Sequence, residues 1–92
     1  MATEELLVER NKTHGDFSMN ARYSQDLKRL MHSAPCWSGL HDVHKEALHM
    51  IALKISRILS GQADFADHWA DCAGYSKLGE SACGRRNDYT TG

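Results

Sequence analysis

The sequence predicts an all-α fold, a small helical bundle around a central helical hairpin and completed by oligomerisation. Three observations carry this. Apolar residues recur at helical rather than strand spacing in four segments, capping residues and glycines punctuate those segments, and the longest of them is apolar on more than one side. Ninety-two residues suffice for one domain, expected over 1–79, with the small, polar and glycine-rich stretch 80–92 expected to form a flexible tail. A chain this short buries only about 60% of its unfolded surface, for which subunit association is a natural remedy.

The first helical segment is short. Thr3 can cap a turn through Glu4, Glu5, Leu6, Leu7 and Val8, with acids at the positive helix end. A polar loop over 11–16 then leads to Phe17 and Ser18, placed as hydrophobic staple and N-cap of a second helix. That helix reaches about His32 and carries Tyr23, Leu27, Leu30 and Met31 on one stripe. The connector 33–39 contains Pro35, the only proline, and Trp37, which either plugs a small core or stacks on a base.

Asp42 can cap the third helix, which should run to Ser60 and stop at Gly61. Val43, Ala47, Leu48, Ile51, Ile55, Ile58 and Leu59 share one broad face of it. Ala52 and Leu53 lie outside that face, which suggests a second buried side, against another subunit in the simplest account. Asp64 can cap the fourth helix, expected to end near Leu78 and to pack through Phe65, Trp69, Cys72, Ala73 and Ser76.

Composition narrows the function. Eleven Lys plus Arg against twelve Asp plus Glu create no basic field, so recognition of nucleic acid is disfavoured. The longest apolar run is too short to cross a bilayer, and the acidic start, with Glu4, Glu5 and Glu9, does not resemble a signal peptide. Cys36, Cys72 and Cys83 form neither a disulfide framework nor a zinc knuckle, which fits free thiols in the cytoplasm.

The clearest polar pattern lies on the fourth helix. Asp64, His68, Asp71 and Tyr75 fall on one narrow stripe, with Asp67 at its margin, and acids and an imidazole a turn apart can converge on a divalent cation. A solvated polar face reads the same way. On the third helix, Glu46 and His49 repeat the Glu-x-x-His spacing with which helical bundles present metal ligands, or are simply exposed. Lys54 is placed inside an otherwise apolar arc, with Arg57 on its shoulder. The lysine either snorkels to water or meets a phosphate, for which Arg57 offers a fork. Lys12 and His14 lie in a glycine-containing loop before a helix start, where backbone N–H groups favour anions, although the Walker A spacing is absent. His32, His41 and His44 show no ligand spacing.

Three blocks in this order, ERNKTHGDF (9–17), EALHMIALKISRI (46–58) and DHWADCAGY (67–75), resemble a group of small phage and prophage proteins. That group is similar to the MazG and dimeric dUTPase superfamily of all-α NTP pyrophosphohydrolases, in which ExxE and ExxD motifs hold Mg²⁺ against substrate phosphates. The resemblance implies that these motifs read Glu46-x-x-His49 and His68-x-x-Asp71 here, each with a histidine where an acid is expected. Asp64 or Asp67 would be the accessory acid, and the cofactor Mg²⁺ or, better suited to histidines, Mn²⁺ or Zn²⁺. It also makes Lys54, Arg57, Lys12, His14 and Tyr75 phosphate or nucleotide contacts. Three functional readings follow. The first is a phage-type protein that sequesters a nucleotide or cyclic nucleotide signal in the host cytoplasm, as a counter-defence device. The second is a metal-dependent NTP or dNTP pyrophosphohydrolase. The third is a protein-binding inhibitor that uses the helical surface. A homo-oligomer, a dimer or higher, is expected whichever reading holds.

Overall fold

A computed structural model describes residues 16–84, and its elements are all helical. Helix α1 spans Phe17–His32, a 3-10 turn spans Trp37–Gly39, α2 spans Asp42–Arg57, a wider π-type turn spans Ile58–Gln62, and α3 spans Ala66–Ser81. These are the second, third and fourth helices expected from the sequence. The expected turn after Thr3 lies outside the described residues. Helices α2 and α3 form the central hairpin, α1 flanks it, and α2 packs against both neighbours.

The helix starts differ from expectation by one or two residues. Asp16, not Ser18, caps α1, its carboxylate accepting from the Met19 N–H at 3.0 Å, and Phe17 is the first helical residue, with its ring exposed. A carboxylate at this position also answers the positive helix end, which a hydroxyl does less well. At α2 the His41 imidazole caps in place of Asp42: its Nδ1 accepts from the Val43 N–H at 3.0 Å, which puts the ring proton on Nε2. Asp42 becomes a first-turn acid instead. Helix α3 starts after Phe65 with no side-chain cap, and Asp64 stands outside it. The loop is tied there by the Trp69 indole, which donates to the Ala63 carbonyl at 2.8 Å.

The stop was legible. Ser60 and Gly61 leave helical geometry, and Gly61 takes φ 117°, a left-handed conformation that favours glycine. Helix α3 runs three residues beyond Leu78, and Ala82 behind it is fully buried, so the first residues expected in the tail belong to the fold. Positions 85–92 lie outside the described residues.

The faces hold the main surprise. On α1 the inward row is Asn20 and Ser24, buried, followed by Leu27 and Met31, half-buried, at four- and three-residue steps, while Leu30 of the expected stripe points outward. On α2, Ala47 and Lys54 are buried on one side, and Ala52 and Ser56 on the nearly opposite side. The expected second buried face is therefore present, but α1 occupies it. On α3 the polar stripe turns inward: His68 is buried and Asp71 and Tyr75 are half-buried, whereas Trp69, Ala73 and Ser76 of the expected packing face are exposed. Lys54 explains this, because a lysine buried on α2 requires a carboxylate from the facing helix. Among the described residues, the buried apolar side chains are only Ala47, Ala52 and Ala82.

Candidate functional site

The α2–α3 seam concentrates charge. Lys54 projects from the α3-facing side of α2, its side chain only 11% exposed, and its Nζ meets Asp71 Oδ2 at 2.8 Å. Asp71 remains 46% exposed, so the pair is buried at the cation and open at the carboxylate. The Lys54 hydrogen bond holds the Asp71 carboxyl below its ordinary value against the effect of burial, and the charges of Lys54, His68 and Arg57 pull the same way. Two cations and an imidazole thus act on one carboxylate, with Lys54 in direct contact. Arg57 sits one turn beyond Lys54, and its Nε is buried without a hydrogen-bond partner among the described residues. His68 is 2% exposed with its ring edge-on to Phe65, centroids 4.8 Å apart. Burial raises the nearby Cys72 thiol, partly offset by Lys54, so it is a protonated neighbour rather than a thiolate.

Two open depressions flank Tyr75. One, of about 410 Å³, is lined by Ala70, Asp71, Gly74, Tyr75 and Leu78. The other, of about 370 Å³ and more apolar, is lined by Leu40, His44, Ala47, Leu48, Ile51, Tyr75, Ser76 and Gly79. At its end the His44 Nε2 bonds the Gly79 carbonyl at 2.8 Å, pinning the start of α2 to the end of α3. The Tyr75 ring and the bare Gly74 backbone give a flat-sided groove whose edge is Asp71, beside the cationic cluster.

The α1–α2 junction is different. His32 Nε2 and His49 Nε2 meet at 2.7 Å, and the Trp37 ring lies 4.7 Å from His32 and 5.2 Å from His49. Trp37 is half-buried and closes this junction. Burial, His32 and Lys28 lower the His49 pKa, opposed by Glu46, whose Oε1 is 3.9 Å from His49 Nδ1.

The residues singled out from the sequence thus fall into two groups. Lys54, Arg57, His68, Asp71 and Tyr75 gather at the α2–α3 seam, while Glu46 and His49 stand at the α1 junction; Asp64 and Asp67 are exposed near the start of α3. Lys12 and His14 lie outside the described residues. Among the described residues, no three or more His, Cys, Asp or Glu side chains are grouped to hold a metal ion. Sequence reasoning missed His32, because its partner is seventeen residues away and the meeting depends on how α1 and α2 are set against each other.

No helix among the described residues is long and apolar enough to cross a membrane. One family model, the domain of unknown function DUF6378, matches residues 1–83. No curated protein and no solved structure matches the chain. With 83 of 92 residues covered, the chain belongs to the DUF6378 family.

Proposed function

We propose that this protein binds a nucleotide or cyclic nucleotide through its phosphates at the α2–α3 seam and sequesters it intact. The observation that carries the reading is the positive charge there: Lys54 is paired with Asp71, while Arg57, one turn on, adds a second cation whose Nε lacks a partner among the described residues. A phosphate beside Asp71 would take up that charge, with guanidinium and ammonium as fork and point charge. The groove along Gly74 and Tyr75 has the size of a small-molecule site and a ring on which a base can stack. Binding is favoured over hydrolysis because the Asp71 carboxylate is already engaged by Lys54, and Glu46 and His49 stand at the other junction. A catalytic Mg²⁺ or Mn²⁺ held by Glu46, His49, His68 and Asp71 would need these groups to regroup.

Native mass spectrometry with a panel of nucleotides and cyclic dinucleotides, plus Mg²⁺ or Mn²⁺, tests both readings. The expected result is an intact nucleotide at fixed stoichiometry. Lys54→Met, which keeps the length of the stem, should weaken binding about ten- to hundredfold through loss of a charged hydrogen bond. Asp71→Asn should leave binding intact or tighten it, because it removes competing negative charge. Release of monophosphate and pyrophosphate, abolished by Asp71→Asn, would overturn sequestration in favour of the pyrophosphohydrolase.

We also propose that the working form is a homo-oligomer. Leu48 and Ile55 of α2 and Leu59 of the π-type turn that follows leave an exposed apolar stripe, beside a core whose buried apolar members among the described residues are alanines. A second copy laid on this stripe would supply the missing apolar burial. A monomer by light scattering at micromolar concentration would remove the idea.

A further inference from the structure

We infer that His32 and His49 form a surface site for a divalent late transition ion of the Zn²⁺, Ni²⁺ or Cu²⁺ class. The inference is independent of the nucleotide reading. It rests on the direct approach of the two imidazoles, Nε2 to Nε2 at 2.7 Å, from helices that are separate in sequence. At that distance one nitrogen offers a lone pair to the N–H of the other, and the 5.0 Å between ring centroids shows that the two donor atoms face each other nearly head-on. Two imidazole nitrogens on a tetrahedral zinc, each about 2.0–2.1 Å from the metal, stand about 3.3 Å apart. To admit the ion, the two nitrogens need to part by roughly 0.6 Å and each ring to swing by roughly 35°, so that both lone pairs meet at the tetrahedral angle. Imidazole suits this class of ion, whereas Mg²⁺ wants oxygen ligands.

Three surrounding features fit. Glu46 Oε1 lies 3.9 Å from His49 Nδ1, and the Glu46 side chain is 73% exposed and able to close that gap. A carboxylate at the rear nitrogen is the outer partner that orients a ligating histidine. Trp37 backs both rings, with centroid distances of 4.7 and 5.2 Å. His32 is exposed and the His49 side chain 30% exposed, so an ion can enter and water can complete the coordination. Binding requires no net proton loss. The ring that donates through Nε2 shifts its proton to Nδ1 by exchange with water, and both Nε2 lone pairs then face the metal. Lys28 opposes the added charge and Glu46 favours it.

Trp37 also provides the probe. In untagged Trp69→Phe protein Trp37 is the sole indole, and Cu²⁺ bound at the adjacent histidines should quench its fluorescence saturably, at one ion per chain and reversibly with chelator. Calorimetric titration of the unmodified chain with Zn²⁺ repeats the measurement without the substitution. His32→Ala and His49→Ala should each weaken both signals by about tenfold or more, and Glu46→Gln by a smaller factor. His41→Ala and His44→Ala should leave them unchanged. Non-saturating quenching together with no Zn²⁺ heat, or binding that persists undiminished in His32→Ala, would overturn the site.

Discussion

The two seams that α2 makes with its neighbours are built from the same material, polar side chains buried beside alanines, yet they are left in opposite electrical states. Against α1, the fully buried Ser56 hydroxyl donates to the Asn20 carboxamide, both groups neutral and both out of water. Against α3, a buried ammonium pairs with a half-exposed carboxylate that also feels the charge of a neighbouring guanidinium. The first seam closes on itself and fixes how α1 sits. The second keeps a buried cation against a carboxylate open to water at one edge, and on that difference the proposed phosphate site rests. The difference teaches where to look for function in a small helical protein: not at buried polarity as such, but at buried polarity whose charge is not balanced within the chain.

The largest expected effect comes from breaking the neutral seam. Ser56→Ala removes the donor to Asn20 and leaves a buried carboxamide oxygen without it, costing about 1–3 kcal/mol. Chemical denaturation should show that loss, while phosphate binding at the far side of α2 should be unaffected in the folded protein. A variant as stable as the parent would show that Asn20 finds another donor or water, and the seam would no longer count as self-contained.

A smaller effect separates the seams by pH. The His49 pKa is lowered in the folded state, chiefly by burial and then by His32 and Lys28, with Glu46 opposing. The unfolded chain therefore binds the proton more readily, and the stability His49 contributes is present above its unfolded value near 6.5 and lost as pH falls through the folded value. Asp71 also has a lowered pKa, held chiefly by the Lys54 hydrogen bond, but from an unfolded value of 3.8; its contribution is present above that value and lost only below it. Between pH 7 and 5 the α1 junction should loosen while the Lys54–Asp71 pair persists. Melting temperatures across this range should fall, and His32→Ala should flatten the fall. An equal fall in His32→Ala would place the titration elsewhere.

The charged seam was the more legible of the two. Lys54 stood out as a cation inside an apolar arc, and His68, Asp71 and Tyr75 as one stripe, because a helix of known period fixes which side chains share a face. What the period cannot fix is which face packs when a helix is as evenly mixed as α3. Its aromatics argued for one side, and a lysine on another helix decided for the other. The neutral seam was invisible for the same reason carried further. Asn20 and Ser56, or His32 and His49, become partners only when the relative rotation of two helices is set. The caps missed by a residue or two because several good capping residues lie near each start, Asp16 and Ser18 at α1 or His41 and Asp42 at α2, and the backbone's exit angle chooses among them.

The smallest effect tests the seam's function most directly. Gly74 lies within α3, where glycine is less favourable than alanine, and a Cβ built there meets nothing within 4 Å. Gly74→Ala should therefore stabilise the fold by about 0.5–1 kcal/mol. The same methyl group would stand in the groove between Asp71 and Tyr75, where the proposed base lies. A protein that becomes more stable yet binds nucleotide several-fold more weakly would place the ligand in this groove. Unchanged binding would leave the phosphate contacts at Lys54 and Arg57 but send the base toward the apolar depression beside Leu48 and Ile51, on the other side of Tyr75.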